Sequence, residues 1–154
     1  MTHAASPIVI LIADDDEEDR MMIKDALIES RLSNDIRTVQ DGEELMDYLH
    51  ARGAYAAPGS APRPGLVLLD LNMPRKDGRE ALGEIKADAD LRRIPVVVLT
   101  TSKAEEDIYR TYDLGVSSFI VKPVSFGGLV DIMRTVGRYW FQIVELPDQV
   151  KKTA

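Results

Sequence analysis

Residue types that can act on a phosphoryl group stand where apolar runs end. "ADDDEED" puts Asp14, Asp15 and Asp16 directly after "IVILI", "LLDLNMP" closes an apolar run on Asp70, "VVVLTTS" reaches Thr100, and "FIVKP" reaches Lys122. Brought together, Asp14, Asp15 and Asp70 would set three carboxylates side by side, which is costly unless a cation or protons neutralise them. A hard divalent cation suits such a set, and Mg2+ typically takes one or two carboxylates, waters and a phosphoryl oxygen. Lys122 adds a compact positive charge and Thr100 a hydroxyl that can donate to an oxyanion. Metal, lysine and hydroxyl form a clamp for a transferring phosphoryl group. Within it, Asp70 can act as nucleophile and become an aspartyl phosphate.

Taken singly, each mark has an ordinary explanation. "ADDDEED" suits an acidic helix start with Asp16 as a cap, Asp70 before "NMP" suits a turn, Thr100 a helix cap and Lys122 a solvated strand end. Their joint occurrence at strand ends favours the phosphoryl clamp. An EF-hand is a poor alternative, because its alternating ligands and turn glycine are missing. His3 and His50 have no ligand partner in the sequence pattern and are read as surface residues.

These residues need elements to position them. Short apolar runs at 8–13, 36–39, 66–70, 95–100 and 117–122 alternate with longer segments of helical period, the pattern of a parallel sheet covered on both faces by helices. The first, third and fourth runs are continuously apolar and are expected at the centre, whereas "IRTV" alternates like an edge strand. Helices are expected from Glu17, over "DGEELMDYLHARG" with Gly53 as its stop, over "DGREALGEIKA", and over "KAEEDIYRTYDLG" with Ile108, Tyr112 and Leu114 inward and Gly115 as its stop. A last helix is expected from about Ser125 to Val144, and "GAYAAPGSAPRPG" reads as a surface loop. In such folds ligands bind outside the carboxyl ends of the strands, where the marked residues stand.

The 154 residues are expected to form one domain over 7–146 with a flexible tail at 147–154. A net charge of -7 argues against a nucleic-acid surface, and the absence of Cys excludes disulfides and thiolate metal sites. No apolar run approaches the roughly 18 residues of a membrane span and the N-terminus lacks a signal-peptide pattern, so a soluble, cytoplasmic protein is expected.

With these marks in place, the chain resembles the receiver domains of two-component response regulators over roughly residues 7–135. The resemblance implies a flavodoxin-like, doubly wound sheet of strand order 2-1-3-4-5, Asp70 as phosphoacceptor, and Mg2+ held by Asp14, Asp15, Asp70 and the Asn72 main-chain carbonyl. It also implies a switch pair of Thr100 and Phe119, a cis bond between Lys122 and Pro123, and a sensor histidine kinase as partner. With Asp16 following, the ligand pair among Asp14, Asp15 and Asp16 depends on register. "RPGLVLLDLNMPRKDGREAL", "RRIPVVVLTTS" and "YWFQIVELP" are similar to the stand-alone response regulators of bacterial and cyanobacterial phytochrome kinases. Thr101 departs from the Ala or Gly usual at its position in receivers, and its bulk is expected to narrow the path of hydrolytic water.

The last helix carries two apolar stripes. Leu129, Ile132, Met133, Val136, Trp140 and Ile143 are expected to face the sheet, while Phe126, Val130, Gly137, Phe141 and Val144 form a second flank. With no output domain in the chain, that flank is expected to make a homodimer, with Phe126, Val130, Phe141 and Val144 at the interface, and the output to be phosphorylation-dependent contact. Apart from its own phosphorylation and dephosphorylation, the domain is not expected to be an enzyme. The alternatives are a degenerate receiver that only binds partners and a haloacid-dehalogenase-like phosphatase, whose second acid after the nucleophile is missing here.

Overall fold

The computed structural model describes residues 8–30, 35–101 and 104–138, and of residues 105 and 106 the backbone alone. Five parallel strands form one sheet in the order β2-β1-β3-β4-β5: β1 Val9–Ala13, β2 Asp35–Val39, β3 Pro64–Leu69, β4 Val96–Thr100 and β5 Ser118–Val121. The helices are α1 Glu17–Glu29, α2 Gly42–Leu49, α3 Gly78–Ala87, α4 Glu105–Asp113 and α5 Phe126–Arg138, with short 3-10 turns at Gly53–Tyr55 and Leu91–Arg93. The expected sheet is the observed one, including β2 at an edge and an entirely buried β3 at the centre.

Successive strand residues feed two core layers, as the two-residue period of a pleat requires. Ile10, Ile12, Leu66, Leu68, Val97 and Leu99 meet Ile23, Ala26 and Leu27 of α1 and Leu129, Met133 and Val136 of α5. Leu11, Ala13, Val67, Leu69, Val96 and Val98 meet Leu45 and Met46 of α2 and Ala81, Leu82 and Ile85 of α3. Both faces are covered, so the strands are apolar without alternation.

Four expectations need correction. First, α2 stops at Leu49 with His50 as its cap, and Ala51 takes the left-handed turn at φ 52° before Gly53 is reached. The His50 and Ala51 N–H groups donate to the Met46 and Tyr48 carbonyls, so the helix is closed without a glycine. Second, α4 buries Asp107 and Thr111 while Tyr112 is 49% exposed. The Thr111 hydroxyl donates to the Asp107 carbonyl, with the Ile108 carbonyl sharing the same proton, and this makes that polar face suitable for burial.

Third, Val130 is not on an outward flank. It is 7% exposed because α5 packs against both the sheet and α1, and its buried arc takes in Leu129, Val130, Met133, Val136 and Gly137. Phe126 remains 42% exposed, while Phe141 and Val144, with the expected domain limits at 7 and 146 and the tail, lie outside the described residues. Fourth, the Lys122–Pro123 bond is trans. Trans is favoured even before proline by about 0.5–1 kcal/mol, and the trans chain already carries the Lys122 ammonium to its partners.

None of the described helices is long and apolar enough to cross a membrane.

Candidate phosphoryl-transfer and metal site

Parallel strands point their carboxyl ends to one edge, and the register brings the marked residues level. Ala13 lies opposite Leu69, so Asp14 and Asp70 leave the sheet side by side, with the Asp70 N–H donating to the Ala13 carbonyl at 2.9 Å. Thr100 ends β4 opposite Val121, and the Lys122 N–H donates to the Thr100 carbonyl at 2.8 Å. Asp14, Asp70 and Thr100 are buried.

Asp70 sits between two donors and a cation. Its Oδ1 accepts from the Thr100 hydroxyl at 2.7 Å and from the Asn72 N–H at 3.2 Å, while its Oδ2 lies 3.2 Å from the Lys122 ammonium. The same ammonium reaches Asp14 Oδ2 at 2.5 Å and Asp19 Oδ2 at 2.8 Å. Burial works against the Lys122 charge, but the hydrogen bonds to Asp14 and Asp19 outweigh it and hold its pKa above the ordinary lysine value. Burial also pushes the Asp14 carboxyl up, opposed by its bonds from Lys122 and from the Asp16 N–H.

One carboxylate oxygen each from Asp14, Asp15 and Asp70 lies within 4.8 Å of the others, two from buried residues and one from exposed Asp15. Hard oxygens on one side and open water on the other fit a divalent cation that keeps part of its hydration. Asp16 is drawn off by another task, since its carboxylate caps α1 through the Glu18 and Asp19 N–H groups at 2.8 and 3.3 Å. The geometry groups Asp14 and Asp15 with Asp70 and leaves Asp16 on the helix.

The loop after β3 is held in place by close approach. An added Cβ on Gly78 would meet the Asp70 carbonyl oxygen and stand 2.7 Å from Leu71 Cα, and the Gly78 N–H donates to the Leu71 carbonyl at 2.9 Å. Only glycine fits there. Asn72 is exposed in this loop, and Phe119 is half-buried on β5. Phe119 lies opposite Val98, hence on the sheet face that Thr100 shares, one pleat period back from it.

Two residues in or beside the site went unassigned in the sequence. Asp19 was unmarked because acids are ordinary in a first helical turn, yet it holds Lys122 across the fold. Arg79 binds Asp107 of α4 and Asp77 beside the loop, and an arginine after a helix cap carries no signal of such a partner.

Comparison with known proteins agrees with this geometry. The chain is 40% identical over 141 residues to response regulator Rcp1 of Synechocystis, covering 92% of this chain and 94% of that protein. The crystal structure of the phosphorylated cyanobacterial phytochrome response regulator RcpA superposes with a TM-score of 0.85 at 43% identity, over 92% of this chain and 99% of that one. The Mn2+-bound form of Rcp1 superposes with a TM-score of 0.83 at 40% identity, over 92% and 99% of the two chains. The response regulator receiver domain model matches residues 10–134, the span that holds all of the sheet but Val9 and every residue of the acidic pocket. With acid pair, central aspartate, hydroxyl and lysine at the strand ends where the sequence had placed them, the chain belongs to the response regulator receiver domain family.

Proposed function

We propose that this receiver accepts a phosphoryl group from a sensor histidine kinase onto Asp70 with Mg2+, and signals through contacts that depend on that modification. The observation that carries the reading is the convergence of the Thr100 hydroxyl and the Lys122 ammonium on the two oxygens of Asp70. In the transfer, an Asp70 carboxylate oxygen bonds to phosphorus while the P–N bond to the donor imidazole breaks, its electron pair leaving with the nitrogen. Thr100 and Lys122 are placed to hold the equatorial oxygens. A divalent cation held by Asp14, Asp15, Asp70 and the Asn72 carbonyl supplies charge neutralisation when bound.

Thr100 and Phe119 serve as the switch pair in this reading, and the domain catalyses nothing beyond its own phosphorylation and dephosphorylation. The relatives named for phytochrome support a phytochrome kinase as the donor. A cytoplasmic setting for the exchange belongs to the same reading. A homodimer through the C-terminal helix belongs to the same reading, supported by the exposed Phe126 and by the apolar sequence from Tyr139 to Val144. A monomer in sedimentation at micromolar concentration, with and without phosphorylation, removes the dimer.

The central test is intact mass after incubation with acetyl phosphate and Mg2+, alongside Asp70→Asn and a chelator control. One added phosphoryl group, absent from both controls, is expected. No added mass from acetyl phosphate or from a phosphorylated histidine kinase overturns the reading.

A further inference from the structure

The Lys122 ammonium has three N–H donors and spends them on three carboxylates, at 2.5 Å to Asp14, 2.8 Å to Asp19 and 3.2 Å to Asp70. Asp14 and Asp70 also belong to the oxygen group that fits a cation, whereas Asp19 does not. A divalent cation would therefore share these two carboxylates with the ammonium and draw on the same negative charge, and the two cations would repel each other. With the Lys122 side chain 10% exposed, water is a poor substitute for a lost carboxylate.

Asp19 is the acceptor that remains. Its side chain is 35% exposed, so its charge costs little to keep, and it stands in the first turn of α1, where the helix dipole favours an acid. Beside the contact of Asp19 and Lys122 lies a cavity of about 30 Å³, lined by both residues and by Met22, Ile23, Pro123 and Leu129. That is roughly one water's volume, room for an ammonium to shift. The helix explains an acid at position 19, but not why its carboxylate meets a lysine from the far end of the sheet.

We infer that Asp19 is a positioning residue that receives the Lys122 ammonium when a divalent cation takes Asp14, and so governs cation affinity through the lysine. The consequence for phosphoryl transfer rests on the function proposed above, while the effect on cation binding does not.

The test is Mn2+ affinity, read by the loss of free-ion electron paramagnetic resonance signal without any phosphodonor. Removing any nearby negative charge weakens Mn2+, so Asp16→Asn, which keeps a capping side chain and does not touch Lys122, measures charge alone. Asp19→Asn is expected to weaken Mn2+ at least about fivefold more than Asp16→Asn does, the scale of a moderate pairwise coupling. Asp19→Glu is expected to restore most of the affinity. With Lys122→Met as background, the excess effect of Asp19→Asn is expected to disappear. If Asp19→Asn and Asp16→Asn weaken Mn2+ equally, or if the excess persists without Lys122, the inference is wrong, and a parent protein that binds no Mn2+ also overturns it. The acetyl phosphate mass experiment reads the phosphoacceptor function separately, so either idea can fail while the other stands.

Discussion

Arg79 and Asp107 face each other as a two-pronged ion pair, Nε to Oδ1 and Nη2 to Oδ2, both at 2.6 Å. The pair ties the start of α3 to the start of α4, and Arg79 also reaches Asp77, the cap of α3, at 3.1 Å. The side chains are 22% and 10% exposed, so loss of Asp107 leaves a largely dry guanidinium with Asp77 as its remaining carboxylate partner. Asp107→Leu is expected to cost about 3 kcal/mol in equilibrium urea unfolding. The double variant Arg79→Met with Asp107→Leu is expected to recover part of it, since both charges are then gone. A cost below about 1 kcal/mol would show that the pair behaves as a solvent-screened one.

Two glycines of α3 are expected to respond in opposite directions to alanine. Gly78→Ala drives a methyl into the Asp70 carbonyl and Leu71, backbone that cannot swing away, with an expected loss of about 2–3 kcal/mol. At Gly83 an added Cβ meets nothing within 4 Å, and helix propensity alone predicts a gain of about 0.8–1 kcal/mol. Thermal or urea unfolding of the two variants checks both signs.

Thr101 is exposed and directly follows Thr100, whose hydroxyl meets Asp70. On the proposed function, Thr101→Ala opens a path for hydrolytic water and shortens the phosphoprotein lifetime by about tenfold, or ~1.4 kcal/mol of barrier. Decay followed by intact mass after donor removal measures it, and an unchanged half-life excludes a gating role.

Lys86 provides a pH signature away from the site. Burial lowers its pKa, and its ammonium donates to the Arg92 and Ile94 carbonyls at 3.3 Å each. The native state thus releases this proton before the unfolded chain does, near 10.5. Stability contributed by Lys86 rises as pH climbs through the depressed native value, and is lost as pH falls through it. Lys86→Met removes that titration, so its stability relative to the parent is expected to be most favourable near neutrality and to decline toward pH 10.5. A difference that stays independent of pH from neutrality up to 10.5 would contradict the burial effect.

What could be read in advance divides along physical lines. The central and edge strands and the strand-end site followed from apolar runs that must be buried on both faces, and from charges that such runs cannot carry inside, whereas the full strand order came only with the resemblance to receivers. Helix stops and faces were less legible where polar groups changed the answer. Backbone hydrogen bonds at His50 and Ala51 closed α2 before Gly53, and hydroxyl and arginine partners let Thr111 and Asp107 replace Tyr112 on the inner side of α4. Val130 fell inward because α5 has two neighbours, which a single-helix pattern does not encode. Asp19 and Arg79 were invisible for a related reason, their importance lying in partners distant in the chain.

The Thr100 hydroxyl already donates to Asp70 Oδ1 in the unmodified protein. A phosphoryl oxygen on Asp70 would therefore offer Thr100 an exchange of one charge-assisted partner for another. The driving force available to the switch is then the difference between two similar bonds, smaller than the full 1.5–3 kcal/mol of such a bond, about. A difference near 1 kcal/mol changes a conformational ratio only about fivefold. On the proposed function, such a receiver would behave as a graded dial, and a partner that binds the signalling form tightly would complete a transition the phosphoryl group only begins.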